Sequence, residues 1–373
     1  MFLSNYQVIT EQPALDALIA SYQDAPVLTL DTEFVRTRTY YAEFGLIQVY
    51  DGKQLALIDP RVGLDLSGFW ALLTNPNIIK VLHSCSEDLD VFACYGKCIP
   101  EPLFDTQIAS ALLGHGAALG YAKLVEQHLG IVIDKGESRT DWTQRPLSQA
   151  QLDYAANDVL YLHQIYPTLA REIEEKGRQG WLRQECQRLA SGRLVTPNPE
   201  AAYRKVKGAA KLNPHQLAVL RELASWRMNQ ALKRNSALGF VVKDAGLMEL
   251  AITQPKSLNQ LNQLTVLGDH EKRRHGKALL RCIEETDFDD LPEAFEQVAL
   301  APGYKSVLKR LKNCSTEIAE EKVVAIETLA PKRLLHQYLV WRHQGQTGEL
   351  PMVLTGWRGE LLAEPIEALK LNF

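Results

Sequence analysis

The sequence predicts an α/β domain built on a mixed sheet, followed by two domains made only of helices. Three observations carry this. In the first half, short apolar runs with period-two alternation take turns with helix-start signals. Around 194–212 ("LVTPNPEAAYRKVKGAAKL" and onward) prolines and basic residues break all periodicity, and the pattern is helical from there on. The length of 373 residues exceeds one ordinary core, and a prior of ~150 residues per domain gives two or three. The expected boundaries are 1–192, a linker at 193–212, then 213–292 and 293–373.

The elements follow in order. Residues 26–33 are apolar and β-branched, hence a buried strand. "GLIQVYDGKQLALID" holds two alternating runs around Asp51-Gly52, a hairpin signal. "IIKVLHS" at 78–84 is another strand, and Ser84 with Glu87 fits a capping box that opens a helix. "PLFDTQ" at 102–107 runs from strand into helix, with Asp105 as its cap. Ser148 and Gln151 form a second box at the head of a long helix, "LDYAANDVLYLHQIYPTLAREIEEKG". Leu217, Leu220, Ala224 and Ala231 keep one helical stripe. Acidic "EETDFDDLPEAFE" marks the next break, and "KSVLKRLKNC" and "PKRLLHQYLVWRHQG" are helical again. Trp226-Arg227 and Trp341-Arg342 each sit in an apolar helix pattern, consistent with a diverged duplication.

Composition narrows the class. Hydrophobic residues at 46% and charged residues at 23% are those of a soluble globular chain. The first thirty residues carry Glu11, Asp16 and Asp24 and no basic region, so no secretory leader is expected. No apolar run reaches the ~18 residues of a membrane span. Six scattered cysteines fit reduced thiols and a cytoplasmic location. Cys94 and Cys98 lack a second pair at zinc spacing and read as helix and loop residues. Residues 1–170 hold 10 Lys and Arg against 20 Asp and Glu, and the remainder 31 against 25. This asymmetry suggests carboxylate chemistry in front and a polyanion partner behind, unless it is ordinary surface variation.

Some of those carboxylates are hard to explain by structure. Asp31 and Glu33 end a buried strand, on the same face, where acidic residues are depleted. Asp88 follows another buried strand, where it would also answer a helix dipole. Asp158 interrupts an apolar helix face one turn beyond Tyr154, where it would equally serve as a solvent-facing residue. Brought together, four carboxylates repel unless cations neutralise them. Oxygen ligands without His or Cys select Mg²⁺ or Mn²⁺. Two such ions, ~3.5–4 Å apart, would suit in-line phosphoryl displacement.

"LDTEF" at 30–34, "HSCSED" at 83–88 and "YAANDVLYL" at 154–162 resemble the three exonuclease motifs of the DEDD superfamily. Tyr154 four residues before Asp158 marks its tyrosine branch. "RTYY", "GLIQ", "FDTQIAS" and "DWTQRPLSQAQLDYAANDVLYL" narrow the resemblance to bacterial exoribonucleases of that branch, over residues 1 to about 190. The resemblance implies a ribonuclease H-like fold and a 3′→5′ exoribonuclease. Asp31, Glu33, Asp88 and Asp158 would ligate two divalent cations, Mg²⁺ or Mn²⁺, with Asp31 shared. Tyr154 would position or help deprotonate the attacking water, releasing nucleoside 5′-monophosphates. Gln48 and His83 would contact the terminal nucleotides. Phe34 alternates to the face opposite Asp31 and reads as core.

Residues 213–292 resemble an HRDC domain through Trp226-Arg227, "VVKDAGLMELA", Pro255, Leu258 and Leu261. The usual Asn-x-Pro departs to Asn235-Ser236-Ala237. Residues 293–373 resemble a second, diverged copy, with "WRGELL" at 357–362. The whole is thus expected to be an α/β ribonuclease H-like exonuclease domain followed by two all-α HRDC-type domains. Lys205 and Lys207, then Arg273, Arg274, Lys277 and Arg281, then Lys305, Lys309, Arg310 and Lys312 would grip phosphates or simply solvate helix faces. The expected partners are RNA, tRNA precursors above all, and other small structured RNAs with single-stranded 3′ tails, with no membrane. Without a G-x-x-x-x-G-K-[ST] loop no ATP is expected. The alternatives are a DNA 3′ exonuclease of proofreading type and a non-catalytic RNA-binding scaffold.

Overall fold

The computed structural model describes residues 5–134 and 136–371. The chain opens with β1 (Gln7–Ile9), α1 (Gln12–Tyr22) and β2 (Val27–Val35), then the antiparallel pair β3 (Glu43–Tyr50) and β4 (Leu55–Ile58). Next come α2 (Ser67–Thr74), β5 (Ile79–Leu82), α3 (Ser86–Val91), β6 (Leu103–Asp105), α4 (Thr106–Leu113) and α5 (Tyr121–Leu129). Two longer helices, α6 (Gln149–Glu175) and α7 (Gln179–Ala190), complete this part. The strands form one mixed sheet, in the order β1-β4-β3-β2-β5-β6. β2 pairs antiparallel with β3 and parallel with β5. Leu28, Leu30, Ile47, Val49, Val81 and Leu82 are buried, which is why these central strands read as nearly continuous apolar runs.

Local signals acted much as their chemistry requires. Ser148 and Gln151 close the capping box that starts α6, and Asp105 caps α4 by accepting from the N–H groups of Gln107 and Ile108. Asp51 folds the β3–β4 turn by accepting from the N–H groups of Lys53 and Gln54 at 2.8 and 2.7 Å. The Ser84–Glu87 box does not form. Ser84 takes a left-handed conformation with φ of 54°, and α3 begins at Ser86. The Asp105 carboxylate instead accepts from the N–H groups of Ser84 and Cys85, so a cap from a distant strand replaced the local one. β1 carried too short a signal to be read. All six cysteines are free thiols.

Beyond α7 come α8 (Pro214–Arg234), α9 (Leu238–Val241), α10 (Asp244–Thr253), α11 (Leu258–Asn262) and α12 (Asp269–Glu284). They are followed by α13 (Tyr304–Lys322), α14 (Ile326–Leu329), α15 (Lys332–His343) and α16 (Gly356–Ala368). The described residues divide into two compact units. One comprises Met1–Val35, Glu43–Leu194 and Val298–Phe373, and the other Arg36–Ala42 and Val195–Gln297.

In the first unit, α13–α16 share one apolar core with the sheet domain. Leu112, Leu113 and Leu182 belong to the same buried cluster as Val307, Leu311, Leu335 and Trp357. In the second unit, α8, α10, α11 and α12 bury Leu217, Leu220, Leu223, Leu250, Leu261 and Leu279. The segment read as a linker is packed: Ala202, Tyr203, Val206, Ala209 and Leu212 lie in that core. Its two 3₁₀ turns are too short to leave a periodic signal. The stretch that leaves β2 also belongs here. The Arg38 carbonyl accepts from Ala237 N–H at 2.8 Å, and the Asn235 side chain accepts from Tyr41 N–H at 3.0 Å.

Candidate active site

Three carboxylates meet on β2, which does not end at Asp31 and Glu33 as the sequence suggested but runs on to Val35. Asp31 and Glu33 come from that strand and Asp158 from α6, and one ligand atom of each lies within 4.8 Å of the others. The helix is seated here by side chains of other elements. Thr29 Oγ1 donates to Tyr50 O or Val159 O, both at 3.1 Å. Tyr121 Oη does the same toward the carbonyls of Asn157 and Asp158, at 2.8 and 2.6 Å. Asp88 stands beside the trio rather than in it, and its carboxylate accepts a hydrogen bond from Thr32 Oγ1.

Burial and mutual repulsion leave this cluster reluctant to ionise. The Asp31 carboxyl is pushed well above the usual range by burial, then by the charges of Asp88, Asp158 and Glu33. Glu33 rises to about 9, again through burial first and then Asp158 and Asp88. Asp158 rises well above its ordinary value through burial and the Asp88 charge, against a hydrogen bond from Tyr154. Asp88 climbs only to about 6, because the Thr32 hydroxyl offsets its burial. A hard cation among these oxygens would remove the repulsion. The donor set therefore fits a divalent metal, and no other such group of His, Cys, Asp and Glu occurs among the described residues. Tyr154, at the same end of α6, has its phenol held far up by burial and by the charges of Asp158, Glu33 and Asp31.

The remaining sequence candidates fare differently. Gln48 is buried on β3, in register with Asp31. His83 is half-buried after β5, with Nδ1 at 2.9 Å from Thr106 Oγ1 and its ring against Tyr121. Burial lowers its pKa, against the Asp105 charge and the Leu119 carbonyl. Phe34 is half-buried rather than a full core residue. Arg273, Arg274, Lys277, Lys305, Lys309 and Lys312 are exposed, as are Lys205 and Lys207. Arg281 is paired with Glu285 at 2.8 Å, and Arg310 donates to the Leu369 carbonyl at 2.6 Å. These cations fall in different units, 205–281 in one and 305–312 in the other.

Two contributors escaped the sequence reading. Thr32 looked like an ordinary strand residue, yet its hydroxyl holds Asp88. Gly45 is the extra residue of a β-bulge: Glu33 pairs with Leu46 and Phe34 with Phe44. A Cβ at Gly45 would lie 2.8 Å from both Cβ and O of Trp142 and 2.9 Å from Glu33 O, so only glycine lets the Trp142 loop close over the strand. Arg145 secures that loop by donating to Asp59, Gly45 O and Trp142 O.

The chain is similar to known proteins along its length. Residues 6–174 match the 3′-5′ exonuclease family, 216–283 the HRDC domain, and 302–366 the family described as ribonuclease D, C-terminal HRDC domain. The chain is 57% identical over 367 residues to ribonuclease D of Shewanella sp. (strain ANA-3), covering 98% of this chain and 95% of that protein. To ribonuclease D of Escherichia coli (strain K12) it is 41% identical over 372 residues, 98% of each. The crystal structure of Escherichia coli RNase D, described as an exoribonuclease involved in structured RNA processing, superposes with a TM-score of 0.92 at 42% identity over 98% of both chains.

Proposed function

The chain belongs to the ribonuclease D family of 3′→5′ exoribonucleases, and from that premise we propose that Asp31, Glu33, Asp88 and Asp158 hold two divalent cations, Mg²⁺ or Mn²⁺, at the 3′ end of an RNA strand. One observation carries the reading: three carboxylates converge within 4.8 Å and resist ionising together. The ions, when bound, supply Lewis acidity to the terminal phosphodiester and lower the pKa of water. The protein's own residues do the rest. The carboxylates give up their protons and fix the site, with Thr32 steering Asp88. Tyr154 keeps its proton and orients the attacking water by its hydroxyl, its raised pKa making it a poor base. The product is a nucleoside 5′-monophosphate and a shortened strand.

The proposed substrates are tRNA precursors and other structured RNAs with unpaired 3′ tails, acted on in the cytoplasm without ATP. Two things support this: the Escherichia coli relative is described as acting in structured RNA processing, and exposed cations at Arg273, Arg274, Lys277, Lys305 and Lys309 suit phosphates. The proposed division is a nuclease domain at 1–192, a connecting segment at 193–212, and HRDC-type domains at 213–292 and 293–373. The test is Mn²⁺-dependent digestion of a 3′-labelled RNA with a folded 5′ body. Stepwise release of 5′-monophosphates, absent in Asp31→Ala, is expected. Undiminished release by Asp31→Ala would overturn the site, and digestion of a DNA tail in preference to RNA would favour a proofreading-type nuclease.

A further inference from the structure

Gln48 is 0% exposed, and neither its Nε2 nor its Oε1 has a hydrogen-bond partner. That is an odd place for a carboxamide. It offers two donors and an acceptor, and sealing all of them from water unbonded costs stability that an apolar side chain of the same length would not incur. The register puts Gln48 directly opposite Asp31 across the β2–β3 ladder. Opposed residues of an antiparallel pair lie on one face with Cβ atoms ~4.5–5.5 Å apart. α6, which carries Asp158, packs over both strands. The unbonded amide therefore faces the carboxylate cluster. Sealed beneath α6, it also has no surface with which to touch a nucleotide.

We infer that Gln48 is a positioning residue for Asp31: its N–H group is placed to donate to the Asp31 carboxylate and would hold that ligand for the proposed cations. This rests on the metal reading above and goes beyond it by assigning the buried amide a task. Groups that orient a ligand in this way govern metal affinity and are worth ~10–100-fold in binding.

The test uses the full chain with Gln48→Met, which keeps the length and removes the amide. Mn²⁺ affinity is read by the electron paramagnetic resonance of free Mn²⁺, thermal stability with and without Mn²⁺, and kcat and KM on an RNA oligomer. The expected result is a metal-free Tm at or above that of the parent chain, Mn²⁺ binding weakened ~10-fold or more, and a smaller Mn²⁺-induced rise in Tm. KM for RNA stays the same. Parent-like Mn²⁺ affinity in Gln48→Met overturns the inference, and a raised KM at unchanged Mn²⁺ affinity would make Gln48 a substrate contact instead. Should Gln48→Met fail to fold, Gln48→Asn decides, since its shorter arm must also weaken Mn²⁺ and unchanged affinity overturns the idea. Absence of Mn²⁺ binding by the parent chain would be a different failure, that of the metal site itself.

Discussion

Arg358 on α16 forms a two-pronged ion pair with Glu185 on α7, 173 positions earlier in the chain, and both are buried. Trp357 Nε1 adds a third donor to Glu185 at 3.0 Å, and the Trp357 ring stacks on Trp181 at 4.8 Å. Breaking one side of such a pair strands the other charge. Glu185→Ala should therefore cost ~3–5 kcal/mol, measured by urea unfolding of the whole chain. Burial opposes ionisation of Glu185, but the Arg358 and Trp357 bonds outweigh it and hold the carboxyl below its ordinary 4.5. The pair's contribution is thus fully present above pH 4.5 and lost as pH falls through the lowered value. A Glu185→Ala penalty that stayed the same at pH 7 and at strongly acidic pH would contradict this.

The carboxylate cluster should respond to pH with the opposite sign. Asp88 moves from 3.8 up to about 6 on folding, and Glu33 from 4.5 up to about 9. Their stability is complete below the unfolded values and drains away as pH rises through the folded ones. In EDTA, Tm should fall between pH 4 and 9. The rise in Tm caused by Mn²⁺ should grow over the same interval. A flat profile in both conditions would show that the carboxylates are not mutually strained.

Asp158→Asn removes one charge from the crowd without changing its shape. The metal-free protein should become more stable at pH 8, and its Tm should no longer respond to Mn²⁺. Calorimetric scans with and without Mn²⁺ separate the two effects. Loss of stability in EDTA would mean that the ionised form of Asp158 is structural.

Tyr154→Phe keeps the ring beside Trp142, 6.1 Å away, and deletes the hydroxyl. We expect kcat to fall about 10²-fold, the cost of a misplaced attacking water, with Mn²⁺ affinity and RNA KM preserved. Because the phenol is held far above neutrality, the pH–rate profile should keep its limbs. Parent-like kcat in the variant would remove Tyr154 from the reaction.

Gly45→Ala should be costly for a one-methyl change. The added Cβ would meet backbone and Cβ atoms at 2.8–2.9 Å, none of them the far end of a flexible side chain. Overpacking of this kind costs ~1–3 kcal/mol. Since the displaced atoms include Glu33 O and the Trp142 loop, kcat should fall along with Tm. A variant of unchanged Tm would show that the bulge can relax.

The convergence of carboxylates was legible because these residues contradict folding where they stand. Asp31 and Glu33 offend strand chemistry, and Asp158 sits in an apolar helix face; a sequence shows such conflicts openly. Thr32 and Gly45 were passed over because threonine and glycine in a strand offend little, and their tasks exist only once α3, β3 and the Trp142 loop lie against β2. The Ser84 box failed for a related reason: the Asp105 carboxylate, 21 positions from Ser84, takes the Ser84 N–H that the box would have used. Packing of α13–α16 into the core of the sheet domain was likewise invisible, since an amphipathic stripe reports that a helix has a partner and not which one.

Residues 195–297 leave the first unit's sequence and hand it back at Val298, so these middle helices are an insert, not a tail. A nonsense allele between Leu194 and Val307 would not yield a trimmed enzyme. It would strip Val307, Leu311, Leu335 and Trp357 from the cluster shared with Leu112, Leu113 and Leu182, baring an oily flank to the cell's proteases. An in-frame excision of the insert would leave that cluster whole. Genetic lesions late in the reading frame should therefore be more damaging than larger ones in its middle.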